Sequence, residues 1–200
     1  MPAVVKGPYN VLILGNSITY SPMNPTFGWN CNCGMAASVP DSDFVHLLTV
    51  HFKLINKSSV VVAKNIAEFE RSFDTYDFAD SLKQYRDAKP GIIILRIGEN
   101  VTRFTDSVLF EKKYAELISF LKTNNPAVKI LAAGSVWPDR DLSNKVMGKY
   151  SDYISLISVD SDYSNFSFGL FQDPGIQNHP GNKGMKAISD QIWVAVQKLL

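Results

Sequence analysis

Short unbroken apolar runs alternate along this chain with segments whose apolar residues recur at every third or fourth position. Tyr9 to Leu14 (YNVLIL) is such a run and ends at Gly15. Ser59 to Ala63 (SVVVA) is continuous and β-branched. Gly91 to Ile97 (GIIILRI) stops at Gly98, and Val128 to Ala133 (VKILAA) stops at Gly134. Tyr153 to Val159 is a weaker fifth. Runs this short, closed by glycine, predict strands buried on both faces. Helical spacing fills the gaps. Asp41 to Leu54 carries Phe44, Leu47, Leu48 and His51 on one side, with Asp41 or Ser42 as its cap. Val108 to Leu121 aligns Tyr114, Leu117, Ile118 and Leu121. The last helix aligns Met185, Ile188, Ile192, Val196 and Leu199. Strands alternating with amphipathic helices predict an α/β fold, a parallel sheet covered on both faces. In open sheets of this kind, ligands bind beyond the carboxyl ends of the strands.

Composition narrows the class. The chain has 200 residues and is 46% hydrophobic and 20% charged, which predicts one globular domain over 1–200. A loop insertion is expected at about residues 21–40, between the first strand and the first long helix. Lys plus Arg is 20 and Asp plus Glu is 19, a net charge of +1. That balance argues against a nucleic-acid partner or a membrane surface recognised through bulk charge. No stretch approaches the roughly 18 to 20 apolar residues of a membrane helix. Met1 to Pro8 has no signal-peptide pattern, so the default expectation is the cytoplasm, or export if the chain has been trimmed. Cys31 and Cys33 exclude a disulfide-built scaffold and a four-cysteine zinc site. A disulfide over so short a loop would be strained, which predicts two reduced thiols. His46 and His51, five apart, do not share a helix face and are read as structural.

The chemistry sits after the strands. Gly15-Asn16-Ser17-Ile18-Thr19 follows the first, Asn65 to Arg71 the second and Gly98-Glu99-Asn100 the third. Asn178-His179-Pro180-Gly181 precedes the last helix. A serine, an asparagine and a histidine thus converge on one edge: a nucleophile, an oxyanion donor and a base, the inventory of an acyl-transfer site. A serine hydroxyl needs an adjacent base, and imidazole titrates near neutrality. The glycine patterns of nucleotide-binding loops are absent from the first loop.

The three motifs, in this order and at these places, resemble the SGNH (GDSL-type) hydrolases: Gly15-Asn16-Ser17-Ile18, Gly98-Glu99-Asn100 and His179-Pro180. The resemblance spans nearly the whole chain. It implies a flavodoxin-like three-layer α/β/α fold with a five-stranded parallel sheet of order 2-1-3-4-5. It also implies ester hydrolysis with no metal and no cofactor. Ser17 would be the nucleophile, His179 the base, and the Ser17 backbone N–H and Asn100 side chain would be oxyanion donors. Relatives add a backbone N–H from a glycine after the second strand. Here that place falls on Glu70, with Gly34 of the insertion as the alternative. Relatives also carry an aspartate three residues before the histidine, where this chain has Ile176. Asp173 is the nearest upstream acid and the candidate third member. A backbone carbonyl, Glu99 or Glu68 are the other ways to orient the imidazole. Trp29 of the insertion and Glu99 are candidate substrate contacts, while packing of the loop is the other role for Trp29. The expected function is a serine esterase removing small acyl groups such as acetyl from a small-molecule or glycan ester. An acyltransferase using the same site and a silent carbohydrate-binding relative are the alternatives. The sequence leaves the oligomeric state open.

Overall fold

The computed structural model describes residues 10–200. The expected strand start at Tyr9 and the segment Met1 to Pro8 lie outside them. Five strands, β1 (Asn10–Gly15), β2 (Val60–Asn65), β3 (Ile92–Arg96), β4 (Lys129–Ala133) and β5 (Asp152–Ile154), form one sheet of order β2-β1-β3-β4-β5. Every pairing is parallel: Val11 stands between Val61 and Ile92, Ile94 faces Leu131, and Ala132 faces Tyr153. The expected fold class is therefore the observed one. Among the described residues, seven α-helices accompany the sheet: α1 (Phe44–Ile55), α2 (Ala67–Arg71), α3 (Phe78–Asp87), α4 (Ser107–Lys122), α5 (Asp141–Tyr150), α6 (Pro174–Gln177) and α7 (Asn182–Gln197).

The two-residue period of the strands sorts the core into two layers. Val11, Ile13, Ile92, Ile94 and Leu131 point to α1 and α7, where Phe44, Leu48, Phe52, Ile188 and Ile192 meet them. Leu12, Leu14, Ile93, Leu95 and Ile130 point the other way, to Leu82 of α3, Phe110, Tyr114 and Leu117 of α4, and Met147 of α5. With both faces covered, the three central strands carry almost no polar side chain; buried Asn10 and Arg96 stand at the two ends. Among the described residues, no helix is long and apolar enough to cross a membrane.

Several local expectations change. The cap of α1 is Asp43, whose carboxylate accepts from the His46 N–H at 2.8 Å, because Pro40–Ser42 closes a separate 3-10 turn. The fifth strand is only Asp152–Ile154, and Ile157–Ser161 turns into 3-10 helix. Cys31 and Cys33 are joined in a disulfide, which corrects the expectation of free thiols. Their Cα atoms are 5.4 Å apart, inside the span a disulfide bridges. That bond lies in the insertion, where isolated antiparallel bridges pair Ser21 with Cys33 and Asn24 with Trp29.

Candidate active site

The nucleophile candidate owes its position to a glycine. β1 ends at Gly15, where a Cβ would fall 1.8 Å from Thr19 Oγ1 and 2.7 Å from the Arg96 carbonyl. Only a residue without a side chain lets the chain turn that tightly. The next turn is closed by Thr19 and Tyr20 N–H groups donating to the Asn16 carbonyl, both at 3.0 Å. Ser17 projects from this turn, half-buried, with its carbonyl accepting from Met35 N at 2.9 Å. Among the described residues, the Ser17 N–H makes no hydrogen bond.

The base candidate arrives from the other end of the chain. Asp173 caps the single turn α6, its carboxylate accepting from Ile176 N at 3.0 Å, with Pro174 at the first helical position. His179 follows that turn. Its Nε2 lies 2.8 Å from Ser17 Oγ, and its Nδ1 lies 2.7 Å from the Gly175 carbonyl. A carbonyl only accepts, so Nδ1 carries the proton and Nε2 is free to receive one from Ser17. Burial pushes the imidazole below its usual pKa, against the opposing pull of the Gly175 carbonyl. Asp173 is therefore not the imidazole's hydrogen-bond partner, and neither is Glu99 or Glu68. Asp173 turns instead to the N–H group at the start of α6, where a carboxylate at a cap is favoured.

A buried polar network lies under the serine turn. Arg96, at the end of β3, is fully buried and donates to Glu99 Oε2 at 2.5 Å. Asn16 Nδ2 donates to the same oxygen at 2.6 Å, and Val136 N donates to Glu99 Oε1 at 3.0 Å. The Glu99 carbonyl accepts from Arg140 Nε at 2.8 Å. Both carboxylate oxygens of Glu99 are thus engaged inside the protein, and Glu99 also lines the cleft that holds Ser17. Burial opposes its charge, but Arg96 and these donors hold its pKa below the usual carboxylate range.

Glu70 is the second acid of this network. Its carboxylate accepts from Gly98 N at 2.5 Å, Asn100 Nδ2 at 2.8 Å, Asn100 N at 3.3 Å and Asn16 Nδ2 at 3.4 Å. Burial raises its pKa, and the negative charge of Glu99 raises it further. Glu70 was expected to offer its backbone N–H to the cavity. It reaches the site through its side chain instead, and the cavity wall includes its neighbour Arg71 but not Glu70. Gly34, the alternative donor, gives its N–H to Asp43 Oδ2 at 3.0 Å and lies against the Ile18 carbonyl.

Ser17, His179 and Asn100 meet in one cleft of about 470 Å³ at the carboxyl edge of the sheet. Its walls include Met23 and Phe27 of the insertion, Met35, Trp137 and Arg71. Trp29 lines the cleft but is buried, its Nε1 donating to the Ser21 carbonyl at 3.3 Å and its ring 6.0 Å from Phe171. It secures the insertion to the domain and leaves the exposed rim to Phe27 and Met23. Three residues were missed in the sequence. Trp137 stands edge-on to His179, ring centres 5.5 Å apart, and donates from Nε1 to the Asn178 carbonyl at 3.0 Å. It follows β4, so the rule that directed attention to the other strand ends would have found it. Asn16 is buried and joins the two acids. Arg71 donates from Nη2 to Asn100 Oδ1 at 3.3 Å, and nothing in its surroundings along the chain signals that contact. Among the described residues, no group of three or more His, Cys, Asp or Glu side chains is arranged to hold a metal ion.

No family model and no curated protein matches this chain in sequence. Solved structures do match in fold. A protein of Parabacteroides merdae assigned as a GDSL-like lipase superposes with a TM-score of 0.59 at 14% identity, over 100% of both chains. A family two carbohydrate esterase from Cellvibrio japonicus gives 0.61 at 15% identity, over 99% of this chain and 63% of its own. A two-domain esterase active on acetylated mannans, co-crystallised with mannopentaose, gives 0.58 at 15% identity. This chain covers 94% of itself and 49% of that esterase in the match, so it spans about half the length of the larger protein. The chain shares its fold with these proteins.

Proposed function

We propose that this protein is a serine esterase that removes small acyl groups, acetyl foremost, from carbohydrate esters. One observation carries the reading: Ser17 Oγ, His179 Nε2 and Nδ1, and the Gly175 carbonyl form an unbroken hydrogen-bonded line with steps of 2.8 and 2.7 Å. In the first half-reaction, Ser17 Oγ attacks the ester carbonyl while its proton passes to His179 Nε2. The Ser17 N–H and the free Nδ2–H of Asn100 receive the developing oxyanion. His179 returns the proton to the departing alcohol, leaving the acyl group on Ser17. Water then attacks with His179 again as base, which releases the carboxylic acid and restores the serine.

The carbohydrate part of the reading is supported by the cleft and by the neighbours. Phe27, Met23 and Trp137 offer apolar faces beside the serine, suited to the C–H face of a sugar ring. The fold neighbours include enzymes whose names specify carbohydrate esters, one of them acting on acetylated mannans. Hydrolysis of p-nitrophenyl acetate by wild type and Ser17→Ala tests the reaction, and release of acetate from acetylated oligosaccharides tests the carrier. Ser17→Ala is expected to fall to background. Equal rates for the two proteins would overturn the esterase reading.

A further inference from the structure

We propose that Glu70 and Arg71, neighbours on α2, clamp the Asn100 side-chain amide from its two ends and aim its remaining N–H into the cleft beside Ser17. The inference rests on the esterase reading and names how its oxyanion site is held.

An asparagine amide has two ends of opposite hydrogen-bonding character and little intrinsic preference between its two orientations. Here each end meets a group that accepts only one of them. The carboxylate of Glu70 receives Nδ2–H at 2.8 Å, and the guanidinium of Arg71, a pure donor, reaches Oδ1 at 3.3 Å. Turning the amide over would set Oδ1 against a carboxylate and Nδ2 against a cation. Nδ2 carries two protons. Glu70 takes one, and Asn100 lines the cleft that holds Ser17 and His179, so the other is left for the ligand.

The clamp is itself anchored. Glu70 also receives Gly98 N at 2.5 Å and Asn100 N at 3.3 Å, which fixes the backbone from which the Asn100 side chain springs. Gly98 has φ +129°, a conformation that L side chains rarely adopt. Asn16 Nδ2 connects Glu70 at 3.4 Å with Glu99 at 2.6 Å, so the clamp is tied to the turn that carries Ser17. Glu70 is thus a charged residue that prepares a side-chain donor for the charge developing in the transition state. Glu70 and Arg71 are positioning residues acting through Asn100.

The test is a double-mutant cycle with kcat and KM read separately on p-nitrophenyl acetate. Glu70→Ala is expected to lower kcat about 100-fold with KM changed by less than about threefold, because the lost contact serves only the transition state. Asn100→Ala is expected to cost about 100- to 1,000-fold. The double variant Glu70→Ala/Asn100→Ala should be no slower than Asn100→Ala, since Glu70 acts through that amide. Glu70→Gln keeps the shape and one acceptor oxygen and should recover part of the loss. Multiplying effects in the double variant, or a kcat untouched by Glu70→Ala, would overturn the clamp.

Arg71→Ala guards against misfolding, because Arg71 is exposed. It should lower kcat about tenfold with an unchanged unfolding midpoint. An activity-independent measurement separates failure of the clamp from failure of the esterase reading. Exchange of the Asn100 Nδ2 protons, followed by NMR in wild type, should be slow for one proton, and Arg71→Ala or Glu70→Ala should accelerate it. Exchange in wild type at the rate of a free amide would overturn the clamp even if Ser17 proved catalytic. Slow exchange in a protein without esterase activity would leave the clamp standing and reject the reaction.

Discussion

The two ends of the cleft are held by opposite means. At the His179 end the imidazole is oriented by a neutral backbone carbonyl, and among the described residues no charged group hydrogen-bonds to it. At the Asn100 end, a buried cation, two buried acids and two amides interlock within a few ångströms. The comparison teaches where charge is useful in such a site. The base must shuttle a proton and stay neutral at rest, so burial beside a carbonyl suits it. The oxyanion donors must not move when charge develops, and charge-assisted hydrogen bonds fix them more firmly than neutral ones.

His179→Ala should separate the two ends most strongly. Activity on p-nitrophenyl acetate is expected to fall on the order of 10,000-fold, while the unfolding midpoint in urea moves little. Arg96→Met acts at the other end and should show the reverse emphasis. It leaves Glu99 buried without its cation, at about 3–5 kcal/mol of stability measured by urea unfolding. A loss under about 1 kcal/mol would mean that water, rather than the protein, solvates that pair.

The pH profile comes next in size. The rate should rise as His179 loses its proton, with a midpoint below the ~6.5 of free imidazole, because burial disfavours the cation. Linkage gives the matching stability effect. The unfolded chain takes up a proton near pH ~6.5 that the native imidazole still refuses, so stability falls as pH drops from there to the lower native value. A kinetic midpoint above ~7 would indicate a negatively charged partner on the imidazole. Asp173→Ala should be the mildest change. It removes a helix cap, costing about 1 kcal/mol in thermal unfolding, and lowers kcat by less than about tenfold. A loss of several decades would restore Asp173 to the catalytic group.

The strands and the convergence of Ser17, Asn100 and His179 were legible because apolar runs, most of them closed by glycine, mark strand ends, while the strand order followed from the family resemblance. Helices α3 and α5 were not. Both are mostly polar, and their apolar stripes are narrow, Phe78, Leu82 and Tyr85 in α3 and Leu142, Val146 and Tyr150 in α5, too few positions to stand out beside the longer stripes of α1, α4 and α7. Glu70 was misread for a related reason. A glutamate on a short helix normally faces water, and nothing in Ala67 to Arg71 reveals that this one turns inward to Gly98 and Asn100. Asp173-Pro174-Gly175 carried a plain signal of its own, an acidic cap followed by proline at the first helical position. The resemblance drew attention from that cap to catalysis. The Cys31–Cys33 bond was missed because a spacing of two residues was read as too short to bridge, whereas the Cα atoms stand 5.4 Å apart, inside the span a disulfide covers.

The Gly175 carbonyl also changes what inheritance can damage. A carboxylate third member is written in one codon and can be erased by one base change. A main-chain oxygen is present whatever residue stands at that position. What endangers it is a shift in chain path: an insertion or deletion between Asp173 and His179, or a loss of the turn that Pro174 begins. Drift along this lineage should therefore hold the length of that segment constant, together with the Asp173 cap and Pro174 that build its turn.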